Sequence, residues 1–467
     1  MSATSSVTLP PFHRFVALVC LIAGLSAGLI LLVLTPPFQV PDEPAQFERA
    51  WQVSQGQPRA EVHAGRAGGI EPRAFARLTR RILGTDAILA PRSLRRLPLA
   101  GDLALLRMRL RPNRREFLDF TNTAAYPPID YLPQAVGIRV GRAIGLGPLG
   151  LLYAARLANI LAAVTVLATA MGLMPLGRPA ALAFGLLPMA VYEYASAAQD
   201  ALVISGAFLL TALGLRALLR GTWRPGEVAA AMLAGLVACV AKPVYLPLLL
   251  IAAPAALERG QRRNQLMSLG SILTVVLGTT LLWLYWDAGR VIAFEPGADV
   301  GGQLRFLLGH PLATLRAMMA ALRHFWPFYL RSWIGAFGWL TLGLPIGAYE
   351  LIGAAVLAAA LIREPGAPRL RALALGWGLL LVIGSVALVL LAMDLDATPV
   401  GGAMVLGAQG RYLLPLGGLL AALLGGTAPM PAVGSRAAPV LLTLVAVIGL
   451  AGVGLAARGI VAGFGVF

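Results

Sequence analysis

Residues 372–391 read ALALGWGLLLVIGSVALVLL, an unbroken run that contains no charged side chain. Its length matches the ~20 residues with which an α-helix crosses the hydrocarbon core of a bilayer. The run lacks the polar–apolar alternation that is typical of a membrane barrel strand. Because each unpaired backbone group in hydrocarbon costs several kcal/mol, such a run must form a helix. The stretch therefore predicts an α-helical membrane protein.

Composition extends this prediction to the whole chain. Of the 467 residues, 58% are hydrophobic and 13% are charged, a balance that a soluble core cannot shield from water. We expect one polytopic all-α membrane domain over residues 1–467, with about eleven transmembrane helices. The predicted spans are 15–34, 151–171, 180–194, 200–219, 229–240, 244–257, 267–286, 346–362, 372–393, 412–424 and 440–457. Several are shorter than ~17 residues, which predicts broken or tilted helices.

Charge distribution argues against a nucleic-acid-binding protein, although the net charge is +17. The arginines lie between apolar runs and not in a separate basic domain with stacking aromatics. Both cysteines, Cys20 and Cys239, fall inside apolar runs, where a thiol behaves as a small hydrophobe. The histidines show no metal-ligand spacing. We therefore predict no nucleic-acid partner and no metal-site motif, and a requirement for a divalent cation stays open.

Basic residues also predict the orientation of the chain in the membrane. The first apolar run follows His13 and Arg14 and exceeds the ~7–15 residues of a signal-peptide core, which indicates an uncleaved anchor. With the N-terminus in the cytoplasm, every short inner loop is basic, as the positive-inside rule requires. Residues 35–149 then form a first extracytoplasmic loop, and residues 287–345 form a second. We expect a multi-pass protein of the bacterial cytoplasmic, or inner, membrane.

Three extracytoplasmic segments are predicted to lie on the membrane as amphipathic juxtamembrane helices: 71–83, 129–144 and 311–325. In the first, Phe75, Leu78 and Ile82 recur at helical spacing opposite several arginines, the pattern of an interfacial helix. These helices either anchor the loop or help to hold a lipid-phosphate substrate, and the residues favour neither role.

Ionisable residues in or near the predicted spans gather at the outer ends. They are Asp42, Glu43, Arg156, Glu193, Asp200, Lys242, Arg331, Glu350 and Arg411. Charges within spans cost ~2.5–3.5 kcal/mol and usually mark function. A transporter would place its site near the midplane, between repeated and broken helices. The pattern instead predicts a reaction site at the outer interface.

Two of these cations have alternative roles. Lys242 is the only lysine in the chain; it either snorkels to the headgroups or binds phosphate as a compact charge. Arg411 enters a span directly from an outer loop and either anchors the helix beside Tyr412 or binds the same phosphate.

The acidic pair in Pro41-Asp42-Glu43-Pro44 also has two interpretations. Pro44 suits the first position of a helix that runs to about Gln55, so one carboxylate could serve only as the helix N-cap. Alternatively, the rigidly held pair supplies a general base or a metal ligand at the membrane surface.

The chain resembles the bacterial membrane family called domain of unknown function 2142. The matching motifs, in order, are Thr35 to Pro44, Tyr126-Pro127-Pro128 with Tyr131-Leu132-Pro133, Leu187-Pro188-Met189 with Ser196 and Asp200, Lys242-Pro243, Gly338-Trp339-Leu340 and Gln409-Gly410-Arg411-Tyr412. The chain departs from the family at Gln46, where histidine is usual, and at Thr341-Leu342, where Asp-Thr is frequent. These departures weaken any role at those positions.

That family is similar in turn to the GT-C glycosyltransferases, which implies a GT-C-like helical bundle. In those enzymes an acidic residue after the first span is catalytic, and basic residues bind a polyprenyl-phosphate donor. The resemblance implies catalysis by Asp42, with Glu43 as the lesser partner. It implies substrate binding by Lys242, Arg411, Asp200, Tyr126, Tyr131, Arg331 and Tyr412.

The residues fit transfer of a sugar from a polyprenyl-phosphate carrier to an envelope glycan or protein acceptor. A departing phosphate is an anion that arginine or lysine can stabilise, and a carboxylate can take the acceptor proton. Two alternatives stay open: a lipid-linked-sugar flippase or transporter, and a non-catalytic envelope assembly factor. Membrane lipids and the lipid-linked sugar are the expected partners.

Overall fold

The computed structural model describes residues 11–84, 104–257, 262–290, 298–364, 366–427 and 437–464. It is all-helical in character, with 75% helix, and confirms the membrane helical class. Within the described ranges, six helices are long and apolar enough to cross a membrane: Phe12–Leu34, Pro148–Leu173, Asp200–Arg220, Arg262–Arg290, Ala372–Ala397 and Ala437–Gly463. Shorter apolar helices cover Pro225–Cys239, Pro243–Ala256 and Ile346–Leu361.

The α-helices are numbered here in chain order. They are α1 (Pro11–Leu34), α2 (Glu43–Ser54), α3 (Arg73–Leu83), α4 (Thr121–Ala124), α5 (Leu132–Ala143), α6 (Pro148–Leu173), α7 (Arg178–Gly185), α8 (Pro188–Tyr194), α9 (Asp200–Arg220), α10 (Pro225–Cys239), α11 (Arg262–Asp287), α12 (Val300–Gly309), α13 (Pro311–Ile334), α14 (Ile346–Leu361), α15 (Ala372–Ala397), α16 (Gly417–Thr427) and α17 (Ala437–Phe464). The 3-10 segments are Pro128–Tyr131, Pro243–Leu250, Ala253–Leu257, Ala288–Arg290 and Gly410–Leu416.

Prolines interrupt three of the predicted spans. The predicted span 180–194 consists of α7 and α8, which are separated before Pro188. Proline cannot donate a backbone hydrogen bond and disfavours helical geometry in the residue before it. Pro247 and Pro415 lie within 3-10 segments for the same reason. The predicted spans 244–257 and 412–424 are therefore short composite elements and not continuous α-helices.

The apolar elements run alternately between two ends of one core. At one end, His13 near the start of α1 contacts Gly172 O, at the end of α6, and Arg178, at the start of α7. At the opposite end, Arg156 near the start of α6 donates to the carbonyl of Thr35, just after α1. The side chains of α1, α6 and α9 contribute to the buried apolar cluster between these ends. We call the two ends the His13 end and the Asp42 end.

A small sheet lies between α1 and α6, in a segment that the sequence predicts to be helical or irregular. Strands β1 (Glu61–His63), β2 (Arg66–Pro72) and β3 (Arg115–Asp119) form an antiparallel sheet in the order β1-β2-β3. A second, two-stranded sheet pairs β4 (Ala336–Phe337) with β5 (Leu342–Gly343). The first sheet adds a short β element to the otherwise helical fold that the sequence predicts. Its strands are short, and β2 pairs with a strand distant in sequence, so local periodicity gives little signal.

The structure modifies all three predicted interfacial helices. Residues 66–72 belong to β2, so the predicted helix 71–83 begins at Arg73. Its apolar residues, Phe75, Leu78 and Ile82, are fully buried, and Phe75 packs edge-on against Phe47 and Trp51. The helical periodicity is correct, but this face packs against protein and not against lipid. The predicted helix 311–325 is the first part of α13, which continues to residue 334.

The predicted helix 129–144 divides into the 3-10 segment Pro128–Tyr131 and α5. Leu132, Val136 and Val140 recur at four-residue spacing and are more than half exposed. Ile138 on the other side is fully buried. Helix α5 therefore presents one exposed apolar face, as an interfacial helix would.

Candidate functional site

The first site element is the proline-rich turn that leads from α1 into α2. Phe38 and Asp42 have positive φ angles of 61° and 64°, a backbone conformation that costs free energy for side chains other than glycine. Distant side chains hold this turn. Tyr192 Oη donates to Gln39 O at 2.8 Å, and Trp339 Nε1 donates to Phe38 O at 3.0 Å.

Gly338-Trp339-Leu340 forms the clamp on this turn. All three residues have positive φ, between 55° and 66°, and they lie between β4 and β5. Trp339 N donates to Gln39 O at 3.3 Å, and Gly338 N donates to Tyr192 Oη at 3.1 Å. The turn at Phe38 and the Gly338-Trp339-Leu340 segment therefore fix one another, although Phe38 and Trp339 are 301 positions apart in the chain.

Glu43 lies in a closed, fully buried ion pair with Arg156. Its Oε1 accepts from Arg156 Nε at 2.7 Å and from Ala197 N at 3.1 Å. Its Oε2 accepts from Arg156 Nη2 at 2.5 Å and from Phe38 N at 3.0 Å. Both side chains are 0% exposed. These contacts join α2 to the turn at Phe38, to α6 and to the segment before α9, so Glu43 braces the turn.

Asp42 has a different environment from its neighbour. It occupies the N-cap position of α2, but its side chain makes no capping hydrogen bond. Instead, Oδ2 accepts from Arg411 Nη2 at 3.0 Å, and Oδ1 accepts from Asn122 Nδ2 at 3.1 Å. The Asp42 side chain is 31% exposed. This carboxylate is oriented by two donors and remains open to a reactant.

Arg411 lies beneath Asp42 and is itself held by other residues. Its Nη1 donates to Glu193 Oε1 at 3.1 Å and its Nε donates to Gln409 Oε1 at 2.6 Å, and the side chain is 5% exposed. Gly410 permits this position, because a Cβ atom there would lie 1.8 Å from Tyr329 O. Only glycine allows the loop to approach α13 so closely.

Lys242 and Asp200 form a second ion pair near Arg411. Asp200 begins α9, and Lys242 precedes the 3-10 segment Pro243–Leu250. Both cations lie near the Tyr412 ring, whose centroid is 5.1 Å from Lys242 Nζ and 5.4 Å from Arg411 Cζ. Tyr245 Oη donates to the backbone carbonyl of Tyr412 at 2.7 Å and so fixes the position of that residue. The two pairs therefore form one polar cluster around an aromatic ring.

The tyrosines of the second motif approach the same cluster. Burial raises the pKa of Tyr126, and the charges of Lys242, Asp200 and Asp42 also act on its hydroxyl. Tyr131 Oη donates to Gln46 Oε1 at 2.6 Å, and both side chains are buried. Gln46, where the family usually has histidine, thus accepts a buried hydrogen bond from Tyr131.

Asp130 belongs to this region and was missed by the sequence reasoning. It is fully buried in the 3-10 segment Pro128–Tyr131, and neither carboxylate oxygen has a hydrogen-bond partner in the described residues. Burial and the nearby charge of Asp200 raise its pKa, whereas Lys242 acts in the opposite direction. The sequence feature that could have identified Asp130 is its position between Tyr126 and Tyr131 of a family motif.

Arg331 and Glu350 were grouped with the outer ionisable residues, but both are exposed. In the part of the chain that the structure describes, no ion pair or hydrogen bond joins either side chain to the Asp42 cluster. Arg331 lies next to Ser332, whose hydroxyl accepts from Gly410 N at 2.8 Å. It is therefore adjacent to the site but outside its ion-pair network.

The chemistry of the cluster follows from its charges. Asp42, Glu193 and Asp200 supply carboxylates, and Arg411 and Lys242 supply cations. Among the described residues, no group of three or more histidine, cysteine, aspartate or glutamate side chains is placed to hold a metal ion. The arrangement offers one partly exposed carboxylate beside two preoriented cations.

A bundle of apolar helices long enough to cross a membrane, with a polar cluster at one end, defines a helical membrane protein. The family described as "Predicted membrane protein (DUF2142)" matches residues 25–420, and the chain belongs to this family, which confirms the resemblance seen in its motifs. No curated protein and no solved structure matches the chain.

Proposed function

We propose that this protein is a membrane glycosyltransferase that resembles the GT-C enzymes. It would transfer a sugar from a polyprenyl-phosphate carrier to a cell-envelope acceptor at the outer face of the cytoplasmic membrane. The observation that carries the proposal is the partly exposed Asp42 carboxylate, which Arg411 and Asn122 hold beside a second cation, Lys242.

Asp42 is assigned the general base. An acceptor hydroxyl attacking the anomeric carbon loses its proton, and a carboxylate at hydrogen-bond distance can take it. Arg411 and Asn122 orient the carboxylate and leave part of its surface exposed. Glu43 cannot share this role in the observed geometry, because all its contacts are satisfied by Arg156 and backbone N–H groups. We assign Glu43 the positioning of the turn.

We assign Lys242 and Arg411 the role of binding the phosphate of the sugar donor. Lysine has three N–H donors and arginine five. One donor of Lys242 is directed at Asp200, and the observed acceptors of Arg411 are Asp42, Glu193 and Gln409. Both cations therefore keep donors for a phosphate oxygen. As the sugar–phosphate bond breaks, these donors stabilise the charge that develops on the departing phosphate.

The remaining candidates are assigned by position. Tyr126 and Tyr412 line the polar cluster and would contact the sugar, and Asp200 would hold Lys242 in place. Tyr131 would support the site through Gln46. Arg331, exposed beside Ser332, would meet the phosphate or headgroup region at the rim of the site.

The membrane topology that accompanies this proposal has eleven crossings, with the N-terminus in the cytoplasm and residues 35–149 outside. The support is the distribution of charge between the two ends. Arg178, Arg216 and Arg220 lie at the His13 end, as the positive-inside rule requires of a cytoplasmic side. The Asp42 end would then face the outer leaflet.

The test is incubation of purified protein with a panel of polyprenyl-phosphate sugars and envelope acceptors, with release of free polyprenyl phosphate as the readout. Asp42→Asn should fold normally, because asparagine tolerates the left-handed conformation at this position. It should lower turnover by ~10²–10⁴, the usual contribution of a general base. Glu61→Gln, which changes an exposed carboxylate in β1, is the matched control and should retain parental turnover.

Lys242→Met tests donor binding. It should weaken binding of the lipid-linked sugar, and because it leaves Asp200 without its partner, the double variant Lys242→Met/Asp200→Asn shows whether the loss is one of binding or of folding. Lipid-linked sugar that crosses the membrane without cleavage would instead support the flippase alternative. Parental turnover by the Asp42→Asn variant would contradict the assignment of the base.

A further inference from the structure

A cavity lies at the His13 end, remote from the site described above. It has a volume of 390 Å³ and is lined by Arg220, Arg369 and Arg371 together with Leu218, Leu370 and Ala374. Arg220 ends α9, whereas Asp200 of the Asp42 cluster begins it. At 1.5 Å per residue this helix separates the two sites by about 30 Å. The cavity thus lies near the opposite end of the membrane-length helices.

The polar side of this cavity has an excess of positive charge. Arg220 donates to Glu227 through Nη2 and to Arg216 O through Nε. Its Nη1 is enclosed and has no hydrogen-bond partner in the described residues. Arg369 is exposed at the mouth. The mouth therefore presents guanidinium groups, which fits an anion with several oxygen acceptors.

The other side of the cavity is apolar and continues along α15. Leu373 lines the cavity, and Leu373 and Leu380 are 59% and 55% exposed. Half-buried Trp377 lies between them at helical spacing, with its indole N–H donating to Leu250 O at 2.8 Å. Because residues four and seven positions apart share a helix face, this apolar stripe leads away from the arginines toward the middle of the helix.

We propose that this cavity binds an anionic phospholipid, with its phosphate between the arginines and an acyl chain along Leu373, Trp377 and Leu380. A cationic mouth that continues into an apolar stripe matches both parts of a phospholipid. Basic pockets between membrane helices bind acidic headgroups in this way. A free phosphate would satisfy the arginines but leave the apolar stripe without a partner.

The test uses the full chain in nanodiscs of phosphatidylcholine. A small fraction of the lipid is replaced by phosphatidylglycerol or phosphatidylcholine that carries brominated acyl chains, and tryptophan quenching is measured. The signal of Trp377 is obtained by difference from Trp377→Phe. Brominated phosphatidylglycerol should quench Trp377 at a lower mole fraction than brominated phosphatidylcholine.

Arginine variants test the headgroup contact. One basic residue near the membrane surface contributes about 1 kcal/mol to acidic-lipid binding, so Arg369→Gln should reduce the preference for phosphatidylglycerol about fivefold. Arg263→Gln removes an exposed arginine that does not line the cavity and should leave the preference unchanged. Equal quenching by the two brominated lipids in the parental protein would overturn the proposal.

A second variant tests the apolar part without altering charge. Ala374→Phe should fill the cavity and abolish selective quenching, whereas Ala372→Phe, at an exposed position outside it, should not. Inorganic phosphate at millimolar concentration should fail to displace the lipid. Loss of the preference for phosphatidylglycerol at millimolar phosphate would show that the arginines form a site for free phosphate and not for a lipid headgroup, and selective quenching that survives in Ala374→Phe would show that the lipid lies outside the cavity.

Discussion

The buried ion pair between Glu43 and Arg156 allows the role of Glu43 to be tested independently of any substrate. We predict that Glu43→Gln destabilises the protein strongly although the two side chains have nearly the same shape. The amide can still accept one or two of the bonds that Arg156, Phe38 N and Ala197 N now donate. Its NH₂ group, however, must face a donor, and the buried guanidinium loses its counter-charge.

The size of this loss of stability depends on the hydrogen-bond acceptors that Arg156 keeps. Removing one partner of a buried ion pair typically costs ~3–5 kcal/mol. Arg156 keeps the carbonyls of Thr35 and Pro36, at 2.8 Å and 3.1 Å, as acceptors. These dipoles partly stabilise its charge, so we expect a loss near the lower limit, about 3 kcal/mol. In the double variant Glu43→Gln/Arg156→Met neither residue of the pair carries a charge. The decrease in its unfolding free energy should be ~0.5–3 kcal/mol smaller than the sum of the decreases in the two single variants.

The assay is reversible unfolding by SDS in mixed micelles, followed by tryptophan fluorescence, for the four members of this cycle. Glu61→Gln, which alters an exposed carboxylate, serves as the control and should change the unfolding free energy by less than ~0.5 kcal/mol. A Glu43→Gln variant as stable as the parental protein would refute the assignment of Glu43 as a buried brace. Strict additivity in the double variant would show that the two residues are not coupled.

Three further predictions concern other parts of the chain. Gly410→Ala should prevent correct packing of the loop on α13, because its Cβ would overlap Tyr329 O, whereas Gly270→Ala, with open space around it, should fold normally by size-exclusion chromatography. Burial raises the pKa of Glu71 well above its ordinary value of 4.5. The folded state therefore binds the proton more tightly, so stability should fall as pH rises above 4.5 toward the raised pKa, and Glu71→Gln should remove this slope from denaturation curves. Cysteine introduced at Arg66 should react with an impermeant thiol reagent outside intact cells, and cysteine at Arg263 should not; the reverse labelling would invert the proposed topology.

The sequence also predicted several local features correctly. Helix α3 follows the periodicity of Phe75, Leu78 and Ile82, because the 3.6-residue repeat is a property of neighbouring residues. Helix α2 begins at Glu43, one residue before the predicted Pro44, and Asp42 occupies the N-cap position without forming a capping bond. The sequence could not predict that this apolar face of α3 packs against Trp51, since burial by protein and burial by lipid require the same residues.

The sequence by itself determined the membrane class, most of the apolar segments and the motifs of the family, because each is recorded in composition or in short-range order. Tertiary structure alone decided which charges meet. Asp42 and Arg411 are 369 residues apart, and no local pattern distinguishes Asp42 from Glu43, its neighbour in the chain. The backbone at Asp42 adopts a left-handed conformation, and α2 then directs Glu43 toward Arg156. Packing of helices distant in sequence therefore left one carboxylate partly exposed beside two cations and enclosed the other in a buried ion pair.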